Sequence, residues 1–362
     1  MEIIEDRRRL HQIPELQMNL PKTVSYLTQV LTPLGCEVFS PMESALCAWF
    51  DFGQASSIAF RADCDALAVP EQTDLPFAST HPGQMHACGH DGHMAILLEL
   101  ARRLSQKKAL PHNVLLIFQP GEETPGGAKF LCQTDIFEKY QVTAVFGLHL
   151  WPGLPEGEIF SRKRELMSRS SEINVDITGR SSHLSKAHEG LDAMAAAMKF
   201  YEKATQMEQA LPEETYRLLK FGYMTAGTVR NAIAAHARLE GSLRAFQDDV
   251  FDSLLDGLHT IGKQVESETG CTVTVTSADG YPAVYNPEAL FDRVNAAVPI
   301  ASLAAPDMSS EDFSFYQKKL PGMFFFLGLG DTPPLHSATF CFDEQILVKG
   351  ADFFESLAER FS

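Results

Sequence analysis

The chain has 362 residues, 45% of them hydrophobic and 21% charged, which predicts a soluble globular protein of two domains or one large one. Its 47 acidic against 30 basic residues give a formal net charge of −17; that excess repels phosphate backbones and anionic surfaces, so neither nucleic acid nor membrane is expected as a partner. No apolar run nears the about 18 residues of a membrane span, no signal peptide is read at the N-terminus, and seven scattered cysteines without a C-x-x-C pair fit reduced thiols, so the expected location is cytoplasmic.

Residues 6–34 have helical periodicity, interrupted at Pro14 and Pro21. Short apolar runs follow at 45–52, 57–65, 113–120 and 144–150, with a helical segment at 93–108 between the second and third. Continuously apolar strands alternating with helices predict a sheet covered on both faces. Ligands of such sheets collect at the carboxyl ends of strands, which directs attention to Asp63 and Asp65, to "QPGEE" and to His149. The middle of the chain changes character. Residues 171–179 alternate with period two, 191–208 form an amphipathic helix, and the strands "YRLLKFGYMTAG" and "HARLEGSLRAF" precede a helix from Asp248 and the strand "CTVTVTSADG". The order β-α-β-β-α-β is a split βαβ, ferredoxin-like unit. After "YPAVYNPE" helix–strand alternation resumes and ends in "MFFFLGLG" and the helix "QILVKGADFFESLAER". The simplest organisation is an α/β domain of residues 1–169 and 282–362 interrupted by an α+β domain of residues 170–281.

In "MHACGHDGHMA", Cys88 and His90 stand two apart on a glycine-containing loop before a helix. Thiolate and imidazole make a good transition-metal pair, although polar residues at a helix start, with Asp91 as cap, would give the same string; beside such ligands Asp91 is expected either to cap the helix or to support the ligands from outside. "FQPGEETPGG" puts Glu122 and Glu123 at a strand's carboxyl end. Neighbours on an extended chain point to opposite sides, so one carboxylate can bind metal while the other faces the substrate as a base; a solvated acidic turn is the plainer alternative. His149 ends the next apolar strand, where a lone histidine is more often a satisfied core residue than a ligand. His336, in the turn-rich "PPLHSATF", carries the same ambiguity. Together, separate segments each deliver Cys, His or Glu at a strand end or following loop. Five candidate ligands, Cys88, His90, Glu123, His149 and His336, exceed the three usual for one catalytic zinc. They suit a metal pair about 3.5–4 Å apart sharing an activated water.

The strings "RRRLHQIPEL", "RADCDAL", "MHACGHDGH", "FQPGEE", "GLHLWPGLPEG", "GTVRNAIAAHARLEGSLRAF", "SSEDFSFY" and "PGMFFFLGLG…PLHS", in this order along nearly the whole chain, resemble the M20-type metallopeptidases. Most similar is the branch of amidohydrolases that cleave N-acyl amino acids: hippurate hydrolases, indoleacetyl-amino-acid hydrolases and N-acetyl-diaminopimelate deacetylases. The resemblance implies an α/β fold, a mixed-sheet three-layer metallopeptidase domain with an inserted ferredoxin-like α+β lid. It implies that Cys88, His90, Glu123, His149 and His336 bind two divalent ions, that Glu122 is the general base, and that Asp65 orients the site. Thiolate and imidazole favour zinc, with manganese, cobalt or nickel also suited. "GRSSHLSKAHEGLDA" resembles the lid segment whose histidine stabilises the oxyanion, here His183, a residue often supplied by a dimer partner. Asn231 and Arg244 match positions that hold a substrate carboxylate. Ser181 and Ser182 replace two glycines and Ala187 a proline, changes that bear on pocket shape rather than metal chemistry. Gly121, in place of an alanine, is expected to be minor; His86 and His93 are assigned no role.

The expected reaction is metal-dependent hydrolysis of the amide of an N-acyl, above all N-acetyl, amino acid, a small-molecule substrate. "GGAKFLCQTDIFEKY" and the chain's length are similar to the diaminopimelate deacetylases. A dipeptidase or carboxypeptidase of the same family and a catalytically silent binding homologue are the alternatives. A homodimer through the lid is the expected assembly.

Overall fold

A computed structural model describes all 362 residues. The chain forms two compact units, one of Met1–Leu166, Val284–Pro306 and Asp312–Ser362, the other of Met167–Ala283 and Asp307–Glu311.

Prolines set the entry to the first unit. α1 (Glu2–His11) ends before Pro14, and α2 (Pro21–Leu31) opens on Pro21, where the missing N–H would have had no helical partner anyway. Strands β1 (Glu37–Phe39), β2 (Leu46–Phe50) and β3 (Ser57–Asp63) lead to α3 (His90–Ser105), then to β4 (Asn113–Gln119), β5 (Val142–Trp151) and β6 (Ile159–Ser161). β7 (Arg164–Met167) leads out of this unit; β8 (Arg169–Thr178), β9 (Arg217–Ala226), β10 (His236–Ala245) and β11 (Thr272–Ser277) build the second. The chain returns through β12 (Val284–Asn286), β13 (Ala301–Ser302) and β14 (Gly322–Gly328).

The first unit's sheet has the order β1-β2-β4-β3-β5-β14-β6-β13. It is mixed. β3 runs parallel to both β4 and β5, and β14 parallel to β5, whereas β2 opposes β4 and β6 opposes β14. Consecutive residues of β14 face opposite sides, and both sides are covered. Phe325 packs on Phe353 of the C-terminal helix Leu347–Arg360 at 4.8 Å between ring centres, while Phe324 packs on Phe313 at 4.9 Å. That double cover is why β3, β4 and β14 are buried along their entire lengths and read as unbroken apolar runs.

One charge is fully enclosed beside this sheet. Arg61, on β3, donates from Nη1 to Asp63 at 2.8 Å, from Nη2 to Asp312 at 2.7 Å and from Nε to Gln119 at 2.8 Å. Asp312 also accepts from the Gln119 side chain at 2.7 Å and from the Ala128 amide at 2.9 Å. A buried ion pair adds little over an apolar pair, but removing one partner strands the other's charge.

The second unit is an antiparallel sheet of order β11-β8-β10-β9. The helix Ala193–Gln209 connects β8 to β9, and Asp248–Thr269 connects β10 to β11. In sequence numbering that order is 4-1-3-2, the split βαβ arrangement. Its core joins Ile173, Val175, Ile177, Leu239 and Leu243 of the strands to Phe200, Leu258 and Val265 of the helices.

Arg61→Met keeps the apolar stem and removes the guanidinium. The expected loss is about 3–5 kcal/mol, seen as a lower urea midpoint. An unchanged midpoint would mean that Asp63 and Asp312 do not need this cation.

Candidate metal centre

Six of the residues singled out in the sequence lie together in the first unit. Gly89, in the left-handed region at φ +86°, turns the chain between Cys88 and α3. The helix begins at His90, three residues earlier than its apolar pattern predicts, so His90 sits in the first turn and not on a loop. Glu122 and Glu123 occupy the turn after β4, and His149 lies on β5, two residues before its end. His336 follows β14, with its amide donating to the Ala87 carbonyl at 2.8 Å.

The ligand atoms of Cys88, His90 and His149 lie within 4.8 Å of one another, as do those of Cys88, Glu123 and His336, and those of His90, Glu122 and Glu123. Cys88 therefore belongs to two triads, one enclosed and one reaching the surface. His149 is 4% exposed overall, whereas the His336 side chain is 54% exposed.

Neighbouring groups turn the lone pairs inward. The Asp65 and Leu150 carbonyls can only accept, so Nδ1 of His90 donates to the first at 2.8 Å and Nδ1 of His149 to the second at 2.7 Å. Nε2 of His149 then faces the Cys88 sulfur at 3.4 Å. Nε2 of His90 is buried without a hydrogen-bond partner. Backbone carbonyls fixing one ring nitrogen so that the other is free is the usual support of metal-binding histidines. The Asp65 carboxylate accepts the amides of both Glu122, at 2.9 Å, and Glu123, at 3.2 Å.

The electrostatics favour an added cation. Burial pushes the Cys88 thiol well up, and the Glu123, Glu122 and Asp63 carboxylates push it further, so its thiolate requires a positive neighbour. Burial lowers the basicity of His90, but Asp63 and Asp65 outweigh it and raise the imidazole to about 10, so without a metal Nε2 carries a proton that a bound cation displaces. Burial, reinforced by His93, takes His149 well below its ordinary value and keeps it neutral, as a ligand must be. Glu123, opposed by burial, is lowered by His336 and His90. A soft thiolate, imidazoles and a carboxylate around an orphaned nitrogen fit divalent transition metals.

Several supporting residues escape a reading of the sequence. Asp63 accepts from His93 Nδ1 at 2.6 Å, and His93 Nε2 accepts the Leu150 amide at 2.9 Å. His93, assigned no role from its motif, thus ties β3 to the residue after His149. Its position three residues after His90 on one helix was the available signal. Asp91 does not cap α3, whose start has no side-chain cap. Its carboxylate instead accepts from Arg7 Nε at 2.9 Å and from His11 Nδ1 at 2.8 Å, because burial at the helix start calls for cations and not amides alone. Gly121 is also more than a minor exchange. Its φ is +69°, and a Cβ there would collide with the Met18 sulfur.

His183, Asn231 and Arg244 belong to the second unit. The β8–β10 ladder runs past its formal end. Thr178 pairs with His236, the Gly179 amide donates to Ala235, Ile233 to Ser182, and Leu184 to Asn231. His183 and Asn231 therefore sit together beyond this end. Arg244 lies eight residues along β10 from His236, roughly 26 Å at the usual rise, and donates to the Met308 carbonyl at 2.8 Å.

The profile of peptidase family M20/M25/M40 matches residues 59–360. The chain belongs to the M20 family. A hydrolase of Staphylococcus epidermidis, without further description, is 35% identical over 98% of this chain and 97% of its own length. A Bacillus subtilis structure, described as a dinuclear metal-binding peptidase of the M20 family, superposes with a TM-score of 0.86 at 29% identity, covering 98% of this chain and 96% of that one. A Staphylococcus aureus crystal structure reaches 0.93 at 28% identity, over 100% of this chain and 96% of that one. The protein is thus a metal-dependent hydrolase of the M20 family. No helix of this M20 chain is long and apolar enough to cross a membrane.

Gly121→Ala should destabilise the M20 hydrolase by about 1–3 kcal/mol, from backbone strain and overpacking. Adding Met18→Ala should recover only the packing share. Equal melting points for Gly121→Ala and the parent would show that the turn tolerates a Cβ.

Proposed function

We propose that this M20 hydrolase cleaves the amide bond of N-acyl amino acids, with N-acetyl substrates first among them, releasing a carboxylate and a free amino acid. The observation that carries the reading is the pair of triads sharing Cys88, with Glu122 beside them. Cys88, His90, Glu123, His149 and His336 would hold two divalent ions. Bound there, such ions lower the pKa of water toward about 7 and polarise a carbonyl.

The chain's own residues divide the remaining work. Glu122 is 6% exposed and its amide is fixed by Asp65, which holds its carboxylate ready to take the proton of the attacking water. The same carboxyl returns that proton to the leaving amine nitrogen. His183 is exposed, with Nδ1 engaged by Ser185 at 2.8 Å, leaving Nε2 to donate to the developing oxyanion. Arg244 and Asn231 bind the carboxylate of the amino-acid product half, the guanidinium through paired hydrogen bonds.

The distance between Arg244 and the His183–Asn231 pair supports a dimer. Residues more than about 26 Å apart on one rigid sheet do not grip one amino-acid-sized substrate, so two copies supply the set. The second unit has a surface for this. The helix Ala193–Gln209 buries Ala196, Ala197, Phe200 and Ala204 but exposes a second apolar stripe of Met194, Met198 and Tyr201. Beside it, β9 is an edge strand with Tyr223 and Met224 exposed. An apolar patch next to an unpaired strand edge is what a second copy would cover.

Glu122→Gln should lower turnover at least a thousandfold while metal content, measured by elemental analysis, stays at the parent level; an active variant removes Glu122 from the base role. Cys88→Ala should reduce bound metal in the same assay. Amine release from a panel of N-acetyl amino acids, N-acetyl-diaminopimelate included, set against dipeptides, tests the substrate class; preference for dipeptides would make the enzyme a dipeptidase. Mixing inactive His183→Ala and inactive Glu122→Gln chains should restore part of the activity, because mixed dimers hold one intact site. No recovery after verified subunit exchange would place His183 in its own chain's site.

A further inference from the structure

The N-terminal motif "RRRLHQIPEL" contributes no metal donor and no group to the reaction proposed above, yet Arg7, Leu10, His11 and Glu15 of it are buried. His11 is 0% exposed and Arg7 1%. Both ring nitrogens of His11 meet carboxylates: Nδ1 reaches Asp91 at 2.8 Å and Nε2 reaches Glu71 at 3.1 Å. Carboxylates in this setting accept, so the ring donates from both nitrogens and is an imidazolium. Burial opposes that charge, and Asp91 and Glu71 overcome it, lifting His11 to about 9. The other charged or titratable groups facing it are Arg7 on its own helix and His86 before α3, whose ring centre is 6.5 Å away.

Each contact leads to a segment bearing the metal centre. Asp91 is the residue after His90 and takes Arg7 as a second donor. Glu71 organises its loop by accepting from Thr73 and from the Ser79 amide at 2.7 Å, and the neighbouring Gln72 amide donates to the Ala338 carbonyl at 2.7 Å, two residues beyond His336. From the same motif, the Glu15 carbonyl accepts the Ala66 amide at 2.7 Å, beside Asp65.

We propose that His11 is a positioning residue for the metal centre, clamping the start of α3 to the Glu71 loop and so fixing His90 relative to His336. The inference rests on the ligand assignment proposed above. Outer partners that orient metal ligands change affinity by about 10–100-fold when replaced. A change at His11 should therefore act on metal binding without touching a ligand.

The test uses full-length apoprotein reloaded with cobalt, followed by visible absorption and isothermal titration for the parent, His11→Gln and Glu71→Gln. His11→Gln should weaken cobalt binding at least tenfold and shift the cobalt absorption bands, while circular dichroism remains that of the parent. Glu71→Gln should likewise weaken cobalt binding, since it opens the other end of the same clamp. Should His11→Gln fail to fold, Glu71→Gln decides alone. Folded variants with parental cobalt affinity and spectrum would overturn the role of His11 and leave the ligand assignment standing. A parent chain that binds no cobalt would overturn the ligand assignment and this inference together.

Discussion

Asp65 is engaged at both its ends, and the site depends on this. Its carbonyl fixes the proton of His90 on Nδ1, and its carboxylate collects the amides of Glu122 and Glu123. One residue past the strand thereby sets the tautomer of a ring from α3 and the direction of a turn after β4. The arrangement is costly, because burial, joined by the Glu123 charge, raises the Asp65 carboxyl above its ordinary range even with His90 opposing it. It is maintained only if positive charge lies close by.

The same demand explains the charges around it. Asp63, Asp91 and Asp312 are all fully buried, and each faces a cation, from two residues away for Asp63 and from a distant part of the chain for Asp91 and Asp312. Arg61 serves Asp63 and Asp312, while Arg7 and His11 serve Asp91. In a low-dielectric interior these pairs do little for net stability, but they leave few alternative packings. Donor atoms that must meet within a few ångströms are held by groups that cannot relax individually.

How much of this could be read from the chain follows from distance in sequence. The donor-bearing segments are legible because a strand end in an α/β sheet is a short-range signal, an apolar run followed by Gly, Pro, Asp or Glu. The supporting pairs are not. Arg7 and Asp91 are separated by 84 residues, and Arg61 and Asp312 by 251, and no periodicity links them. Cap and outer support stay equally open for Asp91 in the sequence, because the string before a helix is the same whether its carboxylate meets amides or an arginine. Gly121 looked replaceable because its need arises from Met18, which lies in another segment. The split βαβ order of the second unit was legible from alternation alone; that Arg244 and Asn231 sit at opposite ends of its sheet emerges only from the register of β8 against β10.

The position of β14 has a consequence for how the chain is made. It lies between β5 and β6, yet it leaves the ribosome about 170 residues after them, with the whole second unit emerging in between. During that interval the edge of β5 is an open slot lined by apolar residues, the kind of unpaired edge on which nascent chains misassociate. The second unit, whose strands pair only with one another, can close first. The pocket that gathers His336 with Cys88 and Glu123 is therefore among the last parts of the molecule to be completed, and a truncated chain would carry three donor-bearing segments of the centre around an empty place in its sheet.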